Sequence, residues 1–413
     1  MSGAVDLPTS NTGAGGAPGP SRVVGAVSTT PARFTLDGSD ALEAHLARVC
    51  ERVLAGVAAL VPAAALEGLL LAGGYGRGEG GVLRTPGGDE PYNDLEFYVF
   101  VRGNAILAER RFRDPLHQLG HQLSPEAGLE VEFKVLTLGK LAAASPSMFY
   151  YDLVAGHRWL VGDDSLLAGC DQHREPRRIP PHEVTRLLMN RCSGLLFSLE
   201  RLRRPAFGAE EADFVGRNLA KLQLALGDAL LAAEGAYHWS CRERHNRITG
   251  AAGAVGEPWA REIPAHHAAG VAFKLHPGRS TESRATLAAR HAELTELARE
   301  LWLWVERRRL QAPFPTARDY ALSPVDKCPE TSSWRNRLVN ARAFGPAAAL
   351  LPGAARYPRQ RLFHALALLL WSGDGNAGAD GATLGLAARE LRCAPGSLAD
   401  LVAAYERLWH RFN

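Results

Sequence analysis

The chain of 413 residues is long enough for roughly two or three domains of ordinary size. Hydrophobic residues make up 46% of it and charged residues 22%, which is typical of a globular protein and excludes a chain that is disordered throughout. The formal net charge of +3 is too small to predict a nucleic-acid-binding or membrane-binding surface by itself.

The cysteines and the apolar runs indicate in which cellular compartment the protein is found. The six cysteines are scattered singly, without the paired spacing of a metal site, which is typical of a protein in a reducing environment. The chain does not open on a basic segment followed by an apolar run, and its longest apolar runs, such as 362–371, are too short to span a membrane. The sequence therefore predicts a cytoplasmic protein with no membrane partner, and it leaves the oligomeric state open.

Composition and periodicity divide the chain into three parts. Residues 1–32 are rich in Gly, Ala, Ser, Thr and Pro and have no hydrophobic period, which predicts a disordered tail. Residues 33–175 alternate helical and extended patterns, which predicts a compact α/β domain. Residues 180–413 carry long helical patterns and predict a mainly α-helical domain, which a boundary near residue 312 would subdivide.

The elements of the first domain begin with a helix. Ser39 and Asp40 are typical N-terminal residues for it, and Pro62 ends it. Apolar runs then predict strands at 66–74, 93–101, 129–138 and 157–161. Another helix is predicted over 105–123 with an interruption near Pro115, and a long polar loop is predicted over 80–93.

The second domain is read almost entirely as helices. Helical periodicity is present over 182–203, 212–236, 281–311, 359–371 and 381–412. The Gly- and Ala-rich segment 248–277 is predicted to be a loop or a connection of short helices, and segment 312–354 has no clear period.

One strand of the first domain carries an unusual pair of carboxylates. Asp94 and Glu96 stand two residues apart in an apolar strand, so both side chains point to the same face. Like charges so close together on a mostly buried sheet are costly unless a positive group lies between them. Glu132 adds a third carboxylate on another strand, and Glu130 shares its face as an alternative.

Carboxylates on neighbouring strands are typical of a magnesium site for phosphoryl transfer. Mg²⁺ prefers oxygen ligands, and two ions about 3.5–4 Å apart stabilise the attacking and leaving oxygens. The glycines of the preceding turn, Gly73, Gly74 and Gly76, allow backbone N–H groups to approach a triphosphate closely. Arg77 follows them and offers a guanidinium for a phosphate. Glu79 either caps the following helix or orients this arginine.

A helix of the second domain offers further cations. Arg217, Lys221 and Asp228 lie on one face of it, at spacings of four and seven residues. This face either reaches the phosphates of a nucleotide with Lys221 and Arg217, or it is a solvated face with ion pairs of its own.

The string GGYGRGE at 73–79, followed by DLE at 94–96, resembles the nucleotidyltransferase superfamily of DNA polymerase β type. The first string is similar to that of the uridylyltransferases that modify the PII nitrogen-signalling protein. The segment VEF at 131–133 resembles the third-carboxylate strand of the aminoglycoside nucleotidyltransferases. The order of an α/β domain and a helical domain resembles the kanamycin nucleotidyltransferase type.

The resemblance implies an α+β fold with a mixed sheet of nucleotidyltransferase type. It implies transfer of a nucleoside monophosphate from ATP or another NTP to a hydroxyl of a small molecule or a protein, with release of pyrophosphate. Asp94 and Glu96 would hold two Mg²⁺ ions, and Glu132 would complete the site and activate the acceptor hydroxyl. The segment between Gly80 and Asp94 is longer than is usual in the superfamily. A catalytically silent module that binds a nucleotide or a partner is therefore the alternative.

Overall fold

The computed structural model describes residues 33–372 and 380–413, so the predicted disordered tail over 1–32 lies outside the described residues. The described chain forms a small mixed sheet with helices and then a helical C-terminal part. The predicted α+β class is confirmed at this level, whereas the nucleotidyltransferase type of the sheet and the domain boundaries stay predictions. No helix of the described residues is long and apolar enough to cross a membrane.

Helices and strands alternate in the first part, which we call the α/β part (residues 33–175). Its helices are α1 Asp40–Leu60, α2 Gly73–Gly76, α3 Ala105–Ala127, α4 Leu138–Ala143 and α5 Met148–Ala155. Its strands are β1 Leu66–Leu71, β2 Gly81–Thr85, β3 Gly88–Tyr92, β4 Leu95–Val101, β5 Val131–Leu136 and β6 Arg158–Val161.

Four of these strands form the mixed sheet, in the order β5-β4-β1-β6. β1 is antiparallel to both β4 and β6, and β4 is parallel to β5. The predicted strand near 157–161 is confirmed as the edge strand β6. Because β4 and β5 run in the same direction, side chains on their first residues meet at one end of the sheet.

Both faces of the central strands are covered, which explains their continuous apolar sequences. Leu69 and Leu71 of β1 pack in one cluster with α1 and α3, and Leu70 between them packs in a second cluster with α4 and α5. All three leucines are fully buried. The sheet is therefore a rigid layer between helices, and its strand ends are free to carry polar side chains.

α3 is continuous, so the predicted interruption near Pro115 is wrong. A proline inside a helix removes one backbone hydrogen bond. Phe112 and Leu116, on either side of it, are buried in the cluster between α3 and the sheet and hold the helix together across this position. The helix ends instead at Gly128, which has φ +72° and adopts the left-handed conformation of a helix C-terminus.

The predicted polar loop over 80–93 is a β-hairpin, formed by β2 and β3. The sequence prediction missed it because Pro91 and three glycines weaken the strand pattern. The buried hydroxyl of Tyr75 fixes its base, accepting a hydrogen bond from Tyr92 N at 2.7 Å and lying 2.8 Å from the carbonyl oxygen of Gly81. The hairpin is thus attached directly to the glycine-rich turn.

Helices make up the rest of the chain, which we call the helical part (residues 180–413). They are α6 Pro181–Arg203, α7 Ala209–Ala233, α8 Cys241–Val255, α9 Ile263–Leu275, α10 Arg284–Leu310, α11 Ala317–Leu322, α12 Ser333–Phe344, α13 Arg359–Trp371, α14 Gly381–Leu391 and α15 Leu398–Phe412.

Two of the predicted helical segments differ in detail. Segment 248–277 consists of the second half of α8 and the whole of α9, which is the short-helix alternative. Segment 381–412 is two helices, because Arg392 has φ +53° and ends the first of them. A single large apolar cluster, with the fully buried Trp302 among its members, connects α6, α7, α10 and α13.

Candidate nucleotide and metal site

The three predicted carboxylates converge at one end of β4 and β5. Asp94, Glu96 and Glu132 each offer a carboxylate oxygen within 4.8 Å of the others. The parallel pairing places Glu96 directly opposite Glu132, and Asp94 precedes the first residue of β4. Glu130 is exposed and is not a member of this cluster. The geometry therefore favours Glu132 over Glu130 as the third carboxylate.

The residue before Asp94 turns the chain from the hairpin into the sheet. Asn93 has φ +76°, a left-handed conformation that asparagine adopts more readily than most residues. The backbone N–H of Leu95 then donates to the carbonyl oxygen of Glu130 at 2.8 Å, which begins the pairing of β4 with β5. Asp94 is thus placed by a sharp turn on one side and by sheet pairing on the other.

A lysine supplies positive charge between two of the carboxylates. Lys134 Nζ lies 3.4 Å from Glu96 Oε1 and 3.6 Å from Glu132 Oε2. The same ammonium lies 5.5 Å from the ring centre of Tyr98 and 5.8 Å from that of Phe149. All three charged side chains are partly exposed, so these ion pairs contribute little to stability. The pairing of Glu132 with Lys134 is the structural alternative to a metal-binding role.

The cluster fits Mg²⁺ by its donor atoms. Three carboxylates supply hard oxygen ligands, and their partial exposure leaves room for waters and phosphate oxygens. Ligand oxygens on adjacent positions of one Mg²⁺ ion lie about 3 Å apart. The three carboxylates lie within 4.8 Å of one another, which is compatible with their sharing one ion or holding two.

The glycine-rich turn lies beside the cluster. Gly73 begins the single turn α2 with φ +65°, and a Cβ atom there would lie 3.3 Å from Glu96 Oε2. The backbone therefore passes directly over the second carboxylate. Gly74 serves the packing of the turn, since a Cβ atom on it would lie 2.9 Å from the carbonyl oxygen of Glu79.

Gly76 is required by the closest approach in the turn. A Cβ atom on it would lie 2.1 Å from the carbonyl oxygen of Leu71, a backbone atom at the end of β1 that cannot rotate away. We expect Gly76→Ala to lower the free energy of unfolding by about 1–3 kcal/mol, the usual cost of overpacking. Thermal unfolding followed by circular dichroism measures the change.

Gly139→Ala in α4 is the matched control, because a Cβ atom there would have open space within 4 Å. We expect it to leave the stability unchanged or slightly higher, as alanine favours a helix more than glycine does. Equal stabilities of the Gly76→Ala and Gly139→Ala variants would contradict the close approach at Leu71.

Arg77 lies elsewhere than at the predicted phosphate position. Its side chain is only 9% exposed, and its Nη1 atom lies 3.5 Å from Asp152 Oδ2 of α5. The stem of the side chain passes against Gly156, where a Cβ atom would lie 2.7 Å from Arg77 Cδ and 2.9 Å from Trp239 Cε3. Arg77 is therefore enclosed at the contact between the α/β part and the helical part.

Glu79 also faces the helical part. Its buried carboxylate accepts hydrogen bonds from Ser240 Oγ at 2.5 Å and from Cys241 N at 2.9 Å, so it caps the N-terminus of α8. Burial by itself would raise the pKa of Glu79, but these hydrogen bonds outweigh it and the pKa is lowered. The prediction that Glu79 caps the following helix is wrong, because strand β2 follows it and the helix that it caps, α8, begins more than 160 residues further along the chain.

A chain of buried polar groups continues from this contact into α7. Asp152 Oδ2 accepts a hydrogen bond from Tyr237 at 3.3 Å, and the same tyrosine hydroxyl accepts one from Arg244 Nη1 at 2.8 Å. Arg244 Nε in turn lies 2.8 Å from Asp228 Oδ1. Asp152 and Arg244 were not among the residues predicted from the sequence, because each is separated from its partners by many residues and stands in no motif.

Lys221 of α7 is exposed on the surface of the helical part. Desolvation by the surrounding protein and the charges of Arg191 and Arg217 lower the pKa of Lys221, while the charge of Asp94 opposes the lowering. Arg217 forms an ion pair at 3.1 Å with Asp213 of its own helix, as the alternative interpretation of this face predicted. Within the described residues, neither Lys221 nor Arg191 has a carboxylate within 4 Å.

Comparison of the chain with models of protein families, with curated proteins and with solved structures found no match. The site is therefore interpreted from its own residues. It combines three convergent carboxylates with a backbone turn at Gly73 that lies against Glu96. The charge of Asp94 also acts on Lys221 of the helical part.

Proposed function

We propose that the protein is a Mg²⁺-dependent nucleotidyltransferase, which moves a nucleoside monophosphate from an NTP to a hydroxyl of a small molecule or a protein. The observation that carries the proposal is the convergence of Asp94, Glu96 and Glu132 within 4.8 Å, directly beneath the glycine turn at Gly73. Carboxylates that converge in this way can hold the metal ions of a two-metal phosphoryl-transfer site.

The proposed reaction exchanges one bond at the α-phosphorus for another. The acceptor hydroxyl oxygen bonds to the α-phosphorus, and the bond to the oxygen that bridges the α- and β-phosphates breaks, so pyrophosphate leaves. Glu132 is placed to accept the proton of the hydroxyl, because it is partly exposed at the edge of the cluster. Bound Mg²⁺ would neutralise the phosphates and stabilise the charge that develops on them.

The remaining residues orient the nucleotide. Asp94 and Glu96 would hold the ions on the side of the sheet, and the N–H groups near Gly73 would approach the phosphates. Lys221 would approach the same phosphates from the helical part, since it is exposed, has no carboxylate within 4 Å among the described residues and is influenced by the charge of Asp94. The acceptor would then enter between the two parts, where the hairpin of β2 and β3 lies next to α9.

Nucleotide binding tests the proposal directly. ATP, CTP, GTP and UTP are each titrated into the protein with and without Mg²⁺. We expect at least one of them to bind in a Mg²⁺-dependent manner. In the Asp94→Ala/Glu96→Ala variant this Mg²⁺-dependent part should disappear. Equal affinity of the wild type and the variant for every NTP would contradict the proposal.

Lys134 supports a second candidate function, a catalytically silent module that binds a nucleotide or a partner. Its ammonium already pairs with both Glu96 and Glu132, at 3.4 Å and 3.6 Å. Mass spectrometry of a cell extract incubated with the protein and isotope-labelled NTPs separates the two candidates. A labelled, nucleotidylated product supports the enzyme, whereas Mg²⁺-dependent NTP binding without product in any extract supports the silent module.

A further inference from the structure

Both charged residues of the GGYGRGE string turn away from the carboxylate cluster. Arg77 extends to Asp152, and Glu79 extends to the N-terminus of α8. Both side chains are almost completely enclosed, at 9% and 4% exposure. To meet a nucleotide, either group would first have to leave its partner within the protein.

The contacts of these residues lead to the helix that carries Lys221. Asp152 and Tyr237 connect Arg77 to Arg244, and Arg244 holds Asp228 of α7 at 2.8 Å. Asp228 follows Lys221 by seven residues, which is close to two helical turns, so the two lie on the same face of α7. The position of this face relative to the sheet is therefore fixed by the contacts that begin at the glycine turn.

We propose that Arg77 and Glu79 are positioning residues, which hold the helical part so that Lys221 stands opposite Asp94. This inference rests on the proposed function, in which Lys221 meets the phosphates of the NTP. The glycines of the string bring the backbone to the nucleotide, and Arg77 and Glu79 set the distance between the carboxylate cluster and Lys221.

The alternative role for Arg77 is a direct contact with a phosphate of the nucleotide. To make it, the side chain would have to leave the space between Gly156 and Trp239 and give up its carboxylate partner Asp152. Asp152 is partly buried, at 26% exposure, and would then keep only its hydrogen bond from Tyr237. The two roles predict different coupling with Lys221, which makes them distinguishable.

A double-mutant cycle of Arg77→Ala and Lys221→Ala tests the inference, with Mg²⁺-dependent binding of ATP, CTP, GTP and UTP as the measurement. We expect each single variant to weaken binding about 10-fold, and the double variant to be no more than about 3-fold weaker than either, because the lysine is already displaced when Arg77 is absent. Losses that multiply to about 100-fold would overturn the inference and assign Arg77 to the phosphates.

Gly156→Ala perturbs the same contact without changing a charge, and it serves if Arg77→Ala does not fold. Its Cβ atom would press on Arg77 Cδ and on Trp239. We expect it to weaken NTP binding several-fold and to reduce the effect of Lys221→Ala in the same way. Undiminished binding in this variant would count against a positioning role. Arg102→Ala, which removes an exposed ion pair with Glu67 in the α/β part, is the control and should bind NTP normally.

Hydrogen exchange keeps this inference separate from the proposed function. The amide of Cys241 is protected by Glu79, so its exchange should accelerate in Glu79→Ala and in Gly156→Ala but not in Arg102→Ala. If the wild type bound no NTP, the proposed function would fail, and accelerated exchange would still establish the contact. Unchanged exchange in both variants would overturn the positioning role itself.

Discussion

Replacing Asp94 with Asn is expected to reduce nucleotidyl transfer about 10³-fold, because metal-assisted stabilisation of the transition state contributes several kcal/mol and each 1.36 kcal/mol is about a tenfold change in rate. Asp94 is partly exposed at the start of β4 and has no ion-pair partner within 4 Å among the described residues. The substitution keeps its shape and removes its charge, so the protein should remain folded. Product formation from a labelled NTP measures the rate, and thermal unfolding verifies the fold.

The other carboxylates provide the comparison. Glu132→Gln should lose activity to a similar extent, because it removes both a metal ligand and the base of the proposed reaction. Glu130→Gln is the matched control on the same segment, since Glu130 is exposed and lies outside the cluster. A larger loss in Glu130→Gln than in Glu132→Gln would reverse the assignment of the third carboxylate.

Asp228→Ala is expected to lower the free energy of unfolding by about 3–5 kcal/mol, the usual cost of removing one partner of a buried ion pair. Asp228 is buried and lies 2.8 Å from Arg244 Nε and 3.2 Å from His267 Nε2. Burial by itself would raise the pKa of Asp228, but Arg244 and the hydrogen bond from His267 lower it. The variant would leave the guanidinium of Arg244 buried without this carboxylate. Urea-induced unfolding followed by circular dichroism measures the loss.

Asp213→Ala provides the control on the same helix. Asp213 also pairs with an arginine, Arg217, but both side chains are partly exposed, at 21% and 40%. Solvent screens such a pair, so its removal should cost less than about 1 kcal/mol. Similar losses in the Asp213→Ala and Asp228→Ala variants would show that Arg244 does not depend on Asp228.

The two predictions concern the two parts of the chain separately. The Asp94 substitution acts on the sheet side, at the carboxylates themselves. The Asp228 substitution acts on α7, two turns from Lys221, and should therefore also weaken NTP binding in the fraction of molecules that remains folded. A loss of stability without any loss of NTP affinity would separate the packing of α7 from the position of Lys221.

The sequence alone located the carboxylate cluster, for a local reason. Asp94 and Glu96 share a face because strand side chains alternate, and this holds in any fold that makes 94–96 extended. The glycine turn was predictable in the same way, because Gly73 requires a positive φ that other residues rarely adopt. The choice between Glu130 and Glu132 needed the parallel register that places Glu132 opposite Glu96.

The secondary structure was less predictable where local signals and packing disagree. Pro115 is a correct local signal for a helix break, and the buried neighbours Phe112 and Leu116 override it. The hairpin over 81–92 has weak strand signals and is held by the hydroxyl of Tyr75, a contact that no pattern in the sequence announces.

The contacts of Arg77 and Glu79 were decided by the tertiary structure alone. The sequence determined that two charged residues follow the glycines, and their types allowed either a nucleotide contact or a structural contact. Their partners, Asp152 and Ser240, stand 75 and 161 residues further along the chain. The spacing of residues in a sequence predicts only contacts within a helix or a strand. Contacts between distant segments depend on how the two parts of the chain pack. Many polar residues of the chain could pair with Arg77 or Glu79, and the packing decides which of them are buried beside these two side chains and form hydrogen bonds with them.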